Sequence, residues 1–333
     1  MRTILTITIL AALAWTGYWY VGAQAMQEGT NRWLADQQKF GWHTKSQKVE
    51  TGGFPYRFDT KVTGLELADP SAGWSWSAPE FQFLALSYQP THFIAFWPDQ
   101  QKLTIAGQDL SVTSTQMRAS AVFKPDPTFE LQRSNIVMDD LSLTSDRGWT
   151  LRLSNGLFAT RPAETGENAH EIGLNLSAIT LPEAWRNALD PAGNLPPALD
   201  RVALDADVEF DTPLNRQTVQ GTLPRITQIS LKSAQARWGK LGLTATGDVT
   251  VDFNGHPTGQ FMITARNWRQ ILDLAVAGGV VPADLEPAIA RALQPVADRS
   301  DQPDTISIPI RFSDGVARLG IIPLGPAPRL ILR

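Results

Sequence analysis

Four histidines and a few paired acidic residues are the side chains with which this chain could do chemistry. The histidines are His43, His92, His170 and His256, all far apart in sequence. A zinc-protease motif needs a second histidine near His170-Glu171, and none is there. Asp205 and Asp207 occupy alternate positions of a predicted strand, so both carboxylates point the same way. General acid and base work would need a cleft around them, so we interpret this pair as a solvated strand face.

Other catalytic motifs are absent from the sequence. The chain contains no cysteine, which excludes disulfides, thiolate metal sites and cysteine nucleophiles. It has neither a Gly-x-Ser-x-Gly nucleophile elbow nor a Gly-x-x-x-x-Gly-Lys-Ser/Thr phosphate loop. We therefore expect a protein that is not an enzyme and that carries neither a metal nor another cofactor. A hydrolase site assembled from distant residues is kept as a further hypothesis.

The charge balance argues against a nucleic-acid partner. The 333 residues include 29 Lys and Arg against 33 Asp and Glu, a formal net charge of −4, which lacks the basic footprint of a nucleic-acid binder. Hydrophobic residues make up 43% of the chain, which excludes a disordered protein. Charged residues, at 19%, are fewer than the usual quarter, which is typical of a sheet protein with neutral polar faces.

The first 22 residues predict a membrane anchor. Two positive charges, the amino terminus and Arg2, precede an apolar stretch at residues 4–15, and no charged side chain follows until Glu28. An uncleaved anchor needs about 20 residues and favours aromatic rings at the membrane interface. The expected interface residues are Trp15, Tyr18, Trp19 and Tyr20.

A cleaved signal peptide is the alternative to the anchor. Ala23-Gln24-Ala25 has the small-residue pattern that precedes a cleavage site. The helical pattern nevertheless continues through this point to Phe40, and a helix argues against a cleavable, extended segment. The positive charges then keep the first residues in the cytoplasm and place the rest outside it, which in a bacterium is the periplasm.

From residue 42 onward the side chains alternate with a period of two. This pattern is typical of an antiparallel sheet with one apolar face and one face exposed to solvent. It is clearest at residues 240–253, and it recurs at residues 201–210 and 306–313. In the first strand Phe54, Tyr56 and Phe58 share a face, and the apolar positions change parity at Gly64, which predicts a bulge or a bend there.

These patterns predict a mostly β fold. An N-terminal transmembrane helix is followed by a large curved antiparallel β-sheet system, of β-taco or sandwich type, with a C-terminal helical hairpin. The expected parts are an anchor helix (1–22), an amphipathic helical extension (23–41), a first β-rich lobe (42–189) and a second β-rich lobe (190–333). The Pro/Gly-rich stretch 190–197 divides the lobes, helices lie near 267–277 and 283–296, and 298–303 is an exposed connection.

Three short motifs carry a resemblance. They are Gly-Phe-Pro-Tyr-Arg-Phe at 53–58, Ala-Arg-Asn-Trp at 265–268 and Gly-Ile-Ile-Pro-Leu-Gly-Pro-Ala-Pro at 320–328. Together they resemble an uncharacterised family of proteobacterial envelope proteins, number twenty-one twenty-five among the domains of unknown function. More distantly, residues 242–259 resemble AsmA-like proteins, which are β-rich, anchored in the inner membrane, and in some cases have an open apolar groove implicated in lipid movement. The resemblance implies a fold and an inner-membrane location, and no catalytic residue.

The apolar sheet face is the expected functional feature. It either closes into a sandwich core or lines a trough, and the pattern alone does not separate these. We expect a non-enzymatic protein that binds or helps move phospholipid or other apolar envelope material. The alternative is an envelope scaffold or assembly factor with a closed core that acts through protein partners. The lipid-facing candidates are Phe54, Tyr56, Phe58, Leu241, Leu243, Val249, Val251 and Phe253, and the candidates for lipid head groups are Arg57, Arg266 and Arg269.

Overall fold

The computed structural model describes residues 1–191, 193–219, 223–300, 302, 304–320 and 322–332. These residues form two compact units, one of residues 1–125 and 136–148, the other of residues 126–135 and 149–333. As predicted, the described chain is mostly β with antiparallel pairing. Parts of the predicted connections at 190–197 and 298–303, and one residue of the closing motif at 320–328, lie outside the described residues.

The first unit begins with a single helix and continues as a sheet. Its elements are α1 (Arg2–Lys39), β1 (His43–Lys45), β2 (Lys48–Gly52), β3 (Arg57–Asp69), β4 (Trp74–Leu86), β5 (Gln89–Phe96), β6 (Gln100–Ile105), β7 (Gln108–Thr113), β8 (Gln116–Phe123) and the later part of β9 (Leu131–Ser145). Strands β3 and β4 are central: β1 and β2 pair with β3, and β5 and β6 pair with β4. The predicted continuation of the first helix through residues 23–25 is confirmed.

The bend predicted at Gly64 is present. Its φ is +59°, a left-handed conformation that glycine adopts without a steric penalty. Phe58 and Val62 are buried before it, and Leu65 is buried after it, so the inward-facing positions change parity at the glycine. The register between β3 and β4 does not shift across it, so this is a bend and not a bulge.

The core of the first unit lies between α1 and the sheet. Leu34 of the helix is buried against Val49, Val62 and Leu65 of β2 and β3. The second half of α1 is therefore a structural part of this unit, because its apolar side chains complete the unit's hydrophobic core.

The described residues of the second unit form a meander with four helices. Its elements are the first residues of β9, then β10 (Thr150–Pro162), β11 (Ala169–Thr180), α2 (Glu183–Leu189), β12 (Ala198–Phe210), α3 (Arg216–Val219), β13 (Ile226–Trp238), β14 (Leu241–Val251), β15 (Pro257–Arg266), α4 (Trp268–Ala277), α5 (Glu286–Ala297), β16 (Thr305–Ser313), β17 (Val316–Leu319) and β18 (Ile322–Pro326). Each strand from β10 to β18 pairs with the next along the chain. The stretch at 190–197 lies inside this unit, between α2 and β12, because β11 and β12 pair along their whole length.

Strand β13 contains a bulge at Lys232. Leu231 lies opposite Ala206 of β12, and Ser233 lies opposite Asp205, so Lys232 is the extra residue. An extra residue reverses the alternation of side chains along the strand. Ile229 and Leu231, which precede Lys232, therefore point to the same face as Ala234 and Ala236, which follow it.

Two helices pack on the sheet near the carboxyl end of the chain. One buried cluster combines residues of α4 and α5 with residues of β15 and β16: Ala265, Trp268, Leu272, Ile289, Leu293 and Ile306. The amphipathic spacing of these helical residues is the reason that one side of each helix faces the sheet.

Candidate functional site: an apolar sheet face and an aromatic tip

One face of the second unit's sheet is apolar across six neighbouring strands. The registers of β11 to β16 align side chains in rows that run across the strands. The middle row is Leu174, Leu204, Ala234, Ala245, Ile263 and Ile308. The flanking rows are Ile172, Ala206, Leu231, Gly247, Phe261 and Ile310 on one side, and Leu176, Val202, Ala236, Leu243, Ala265 and Ile306 on the other. These three rows form the apolar face.

The middle row of the apolar face is half-buried along its entire length. The side chains of a closed core would be buried, as Ala206, Ala265 and Ile306 in the flanking rows are. Ala265 and Ile306 belong to the cluster with α4 and α5, so the helices cover one border of the face. The centre of the face is accessible between its covered borders.

The floor of the apolar face, at the middle of strands β13 and β14, is made mainly of small residues. Ala234 of β13 is paired with Ala245 of β14, Ala236 and Gly247 lie on the diagonals of this pair, and Leu243 and Leu231 are their respective partners. Leucine and isoleucine side chains stand on the outer strands β11, β12, β15 and β16. Because alanine projects so little from a sheet, the face is lowest at the Ala234–Ala245 pair.

The predicted lipid-facing residues of β14 lie in different surroundings. Leu241 and Val249 are 4% and 1% exposed, so the protein itself covers them and they do not line an open surface. Leu243 is 36% exposed on the apolar face, and Val251 is half-buried. Phe253 lies beyond the end of the strand, in the loop before β15, where it is 83% exposed.

The opposite face of the same strands is polar and carries a network of ion pairs. The ammonium group of Lys232 lies 2.6 Å from a carboxylate oxygen of Asp207 and 3.3 Å from one of Glu171. Arg161 also pairs with Glu171, and its hydrogen bond lowers the pKa of that carboxyl. The hydrogen bond with Asp207 raises the pKa of Lys232. Asp205 is exposed, but Asp207 is buried, which corrects the expectation that both carboxylates are solvated.

Phe54 and Tyr56 lie in a turn at one end of the first unit, immediately before β3. The backbone N–H of Arg57 donates to the carbonyl oxygen of Gly53, which closes the turn before β3 begins. Phe54 and Tyr56 are therefore outside the strand and are exposed, whereas Phe58 inside it is buried. This corrects the expectation that the three aromatic rings share one strand face.

A second turn, between β4 and β5, is joined to the first. The backbone N–H of Ser87 donates to the carbonyl oxygen of Tyr56 at 2.9 Å, and its hydroxyl donates to that of Pro55 at 3.0 Å. Tyr88, in the same turn, is 66% exposed. Residues 53–57 and 86–89 together form the aromatic tip. Sequence reasoning missed Tyr88, whose signal was an aromatic residue in a hairpin turn.

Helix α1 is fastened to the aromatic tip by aromatic side chains. Three of the four residues expected at the membrane interface, Trp15, Tyr18 and Trp19, donate hydrogen bonds to it. The acceptors are the carbonyl oxygens of Pro55, Ser87 and Arg57, at 3.2, 2.6 and 2.9 Å respectively. The fourth, Tyr20, is exposed and accepts a hydrogen bond from Gln24.

Phe58 lies beneath the helix. Its ring stacks on that of Trp19 with an interplanar angle of 28°, and a second contact is made with Tyr18. Only 3% of Phe58 is exposed, so in this structure its role is to hold α1 against β3 and not to meet lipid.

The histidines are not assembled into a site. Within the described ranges, no group of three or more His, Asp or Glu side chains is placed to hold a metal ion. His170 is buried, 3.3 Å from the hydroxyl of Thr160 and edge-on to the ring of Phe210, and burial lowers its pKa. His92 contacts Ser120, and His256 contacts Asp252. His43 is exposed in β1.

The three arginines predicted to bind lipid head groups differ in the contacts that they make within the protein. Arg266 donates to the carbonyl oxygen of Lys240, and Arg269 packs over the ring of Trp268. The side chain of Arg57, in the aromatic tip, is more than half exposed, and its guanidinium group lies 3.8 Å from a carboxylate oxygen of Asp59.

Helix α1 is long and apolar enough to cross a membrane. Its most apolar 18-residue stretch has a mean hydropathy of 1.5, and none of that stretch is buried in the protein. It is the one helix with these properties among the residues that the structure describes.

Comparison with known proteins identifies a family and no activity. Residues 19–328 match the model of a family described as "Uncharacterized protein conserved in bacteria (DUF2125)". No curated protein and no solved structure matches the chain. The likeness to AsmA-like proteins therefore stays a prediction.

Proposed function

The chain belongs to this uncharacterised bacterial family, and we propose that it is a non-enzymatic envelope protein that binds, or helps to move, phospholipid or a similar apolar molecule along the apolar face. It is anchored in the inner membrane by α1, with the bulk of the chain in the periplasm. The observation that carries this proposal is the half-buried middle row, because a continuous row of apolar side chains that keep part of their surface in water is costly without a ligand.

The charges around α1 support the orientation. The amino terminus and Arg2 are the positive groups at the start of the helix, and the next basic residue is Arg32. Positive charges close to a spanning helix favour the cytoplasmic side. The β-rich remainder of the chain then lies on the periplasmic side.

The dimensions of the middle row suit an acyl chain. Six strands about 4.8 Å apart span roughly 24 Å. One leaflet of a bilayer gives its acyl chains roughly 15 Å, half of the hydrocarbon core. A chain laid across the strands could therefore be covered in full, and each CH₂ removed from water contributes about 0.8 kcal/mol. Binding of this kind needs no catalytic group.

The small residues of the floor indicate where the chain would lie. Ala234 and Ala245 are directly paired at the centre of the middle row. A ligand seated over them would contact the taller Leu204 and Ile263 on the neighbouring strands. Burial of both ligand and protein surface would stabilise such a complex.

The test is native mass spectrometry of the gently extracted full-length protein, with identification of the lipids that it retains. We expect a phospholipid at defined stoichiometry. Ala245→Asp places a charge on the floor and should abolish retention. Thr246→Asp adds the same charge to the next, exposed residue, on the opposite face, and should retain the lipid.

Two outcomes would contradict the proposal. A wild-type protein that carries no lipid would exclude stable lipid binding and favour the scaffold alternative, with protein partners then sought by cross-linking. Equal loss of lipid from Ala245→Asp and Thr246→Asp, with both variants folded, would place the lipid elsewhere on the protein.

A further inference from the structure

The stretch of α1 between the charged Arg2 and the first contact with the first unit is too short to cross a bilayer. Residues 3–14 precede the first contact with the sheet and, at about 1.5 Å per residue, cover roughly 18 Å. The hydrocarbon core is roughly 30 Å thick. The next eight residues, to Gly22, add roughly 12 Å and complete the span.

These eight residues are the ones that contact the aromatic tip. Trp15, Tyr18 and Trp19 donate hydrogen bonds to its carbonyl oxygens, and Trp19 also meets the ring of Phe54 edge-on. By the same arithmetic, Trp15 to Trp19 lie roughly 5–10 Å inside the outer boundary of the hydrocarbon core. A spanning α1 therefore brings the tip into the outer leaflet, next to that boundary, without any further movement.

The exposed side chains of the tip suit that depth. Phe54, Tyr56 and Tyr88 are 53%, 70% and 66% exposed, and no acidic residue occurs in residues 53–57 or 86–89. Aromatic side chains with a polar edge favour the membrane interface. The one charged residue of the tip is Arg57, whose positive charge suits the phosphate groups of lipids.

We propose that the aromatic tip is a second membrane contact, which inserts Phe54, Tyr56 and Tyr88 into the outer-leaflet interface beside α1. The first unit is then held to the bilayer by a helix and by a tip, and it cannot pivot freely on the helix alone. The proposal shares the spanning helix with the proposed function and does not depend on lipid binding by the apolar face.

The natural absence of cysteine allows single probes to be placed. Four full-length variants, Y56C, Y88C, L13C and I105C, each carry one environment-sensitive fluorophore and are reconstituted in vesicles of phosphatidylethanolamine and phosphatidylglycerol that contain spin-labelled lipid. Leu13 reports the spanning helix. Ile105 is an exposed apolar residue paired with Trp74, at the opposite end of β4 from the tip, roughly 40 Å away.

We expect blue-shifted emission and strong quenching at positions 13, 56 and 88, and water-like, unquenched emission at 105. Quenching at 13 without quenching at 56 and 88 would overturn the tip contact and leave the anchor standing. No quenching at 13 would overturn both. Reaction of the unlabelled Y56C and Y88C with a water-soluble maleimide is the second measurement, and its rate should fall on reconstitution while that of I105C does not. Shielding that needs added envelope proteins and gives no lipid quenching would assign the tip to a protein partner and overturn the proposal.

Discussion

Gly22 of α1 and Phe58 of β3 are so close that a Cβ atom on Gly22 would overlap the Cζ atom of the phenylalanine ring. The ring cannot retreat easily, because Trp19 and Tyr18 pack around it and it is buried. The absence of a side chain at position 22 therefore sets the distance between the helix and the sheet.

A methyl group at this point should loosen the first unit. We expect Gly22→Ala to lower the free energy of unfolding by about 1–3 kcal/mol, the usual cost of overpacking. Chemical denaturation of the full-length protein in detergent, followed by tryptophan fluorescence, measures the change. Gly29→Ala is the matched control, because nothing lies within 4 Å of its Cβ position, and better helix propensity should raise stability by up to about 1 kcal/mol. Equal effects of the two substitutions would contradict the close packing at Gly22.

Removal of Lys232 should destabilise the second unit. Lys232→Met leaves the buried carboxylate of Asp207 without its cation, and the hydroxyl of Thr165 is then its remaining described donor. An uncompensated buried group of this kind costs about 1–3 kcal/mol. The same denaturation experiment measures it. Lys240→Met, at an exposed lysine of the same unit, is expected to change stability little, and a similar loss there would argue against the ion-pair explanation.

His170 should make stability depend on pH. Its pKa in the folded protein is lowered by burial, with a smaller opposing effect of Glu130, so the unfolded chain binds a proton more readily. The contribution of His170 to stability is then fully present above the ordinary histidine pKa of about 6.5 and is lost as the pH falls below it. The total loss is about 1.4 kcal/mol for each pH unit by which folding lowers the pKa of His170. Denaturation of the wild type and of His170→Phe between about pH 7.5 and 5.5 tests this. The variant should lose part of the slope, and an unchanged slope would refute the assignment.

Two substitutions in β14 should have different effects, one on stability and the other on lipid binding. Val249→Asp buries a carboxylate at a position that is 1% exposed, and we expect a loss of several kcal/mol of stability. Ala245→Asp lies on the half-buried floor and should lose lipid while the protein stays folded. Thermal unfolding and native mass spectrometry of both variants separate the effects. A stable Val249→Asp variant would show that the end of β14 is open.

The regular elements could be predicted because their side chains repeat. The continuous helix to Lys39 and the long strand at residues 241–251 follow from periods of 3.6 and two. The bend at Gly64 was also visible, because the parity of the apolar positions changes there. The positions of α4 and α5 follow from their amphipathic spacing.

The features that the sequence did not reveal depend on contacts between distant segments. Phe54 and Tyr56 alternate like strand residues, and only the closure of the turn by Arg57 and Gly53 removes them from β3. The burial of Leu241 and Val249 depends on what packs over the ends of β14. The half-buried state of the middle row likewise depends on which elements cover the sheet, and a period of two does not contain that information.

The bulge in β13 also limits how this protein can change in length. Without Lys232, the residues on one side of that position would turn to the other surface: either Ile229 and Leu231 would meet water, or Ala234 and Ala236 would. Loss or gain of two residues would leave the alternation intact. Insertions and deletions in β13 should therefore be tolerated only as pairs of residues. A deletion of Lys232 alone would turn the side chains of one half of the strand to the wrong face of the sheet.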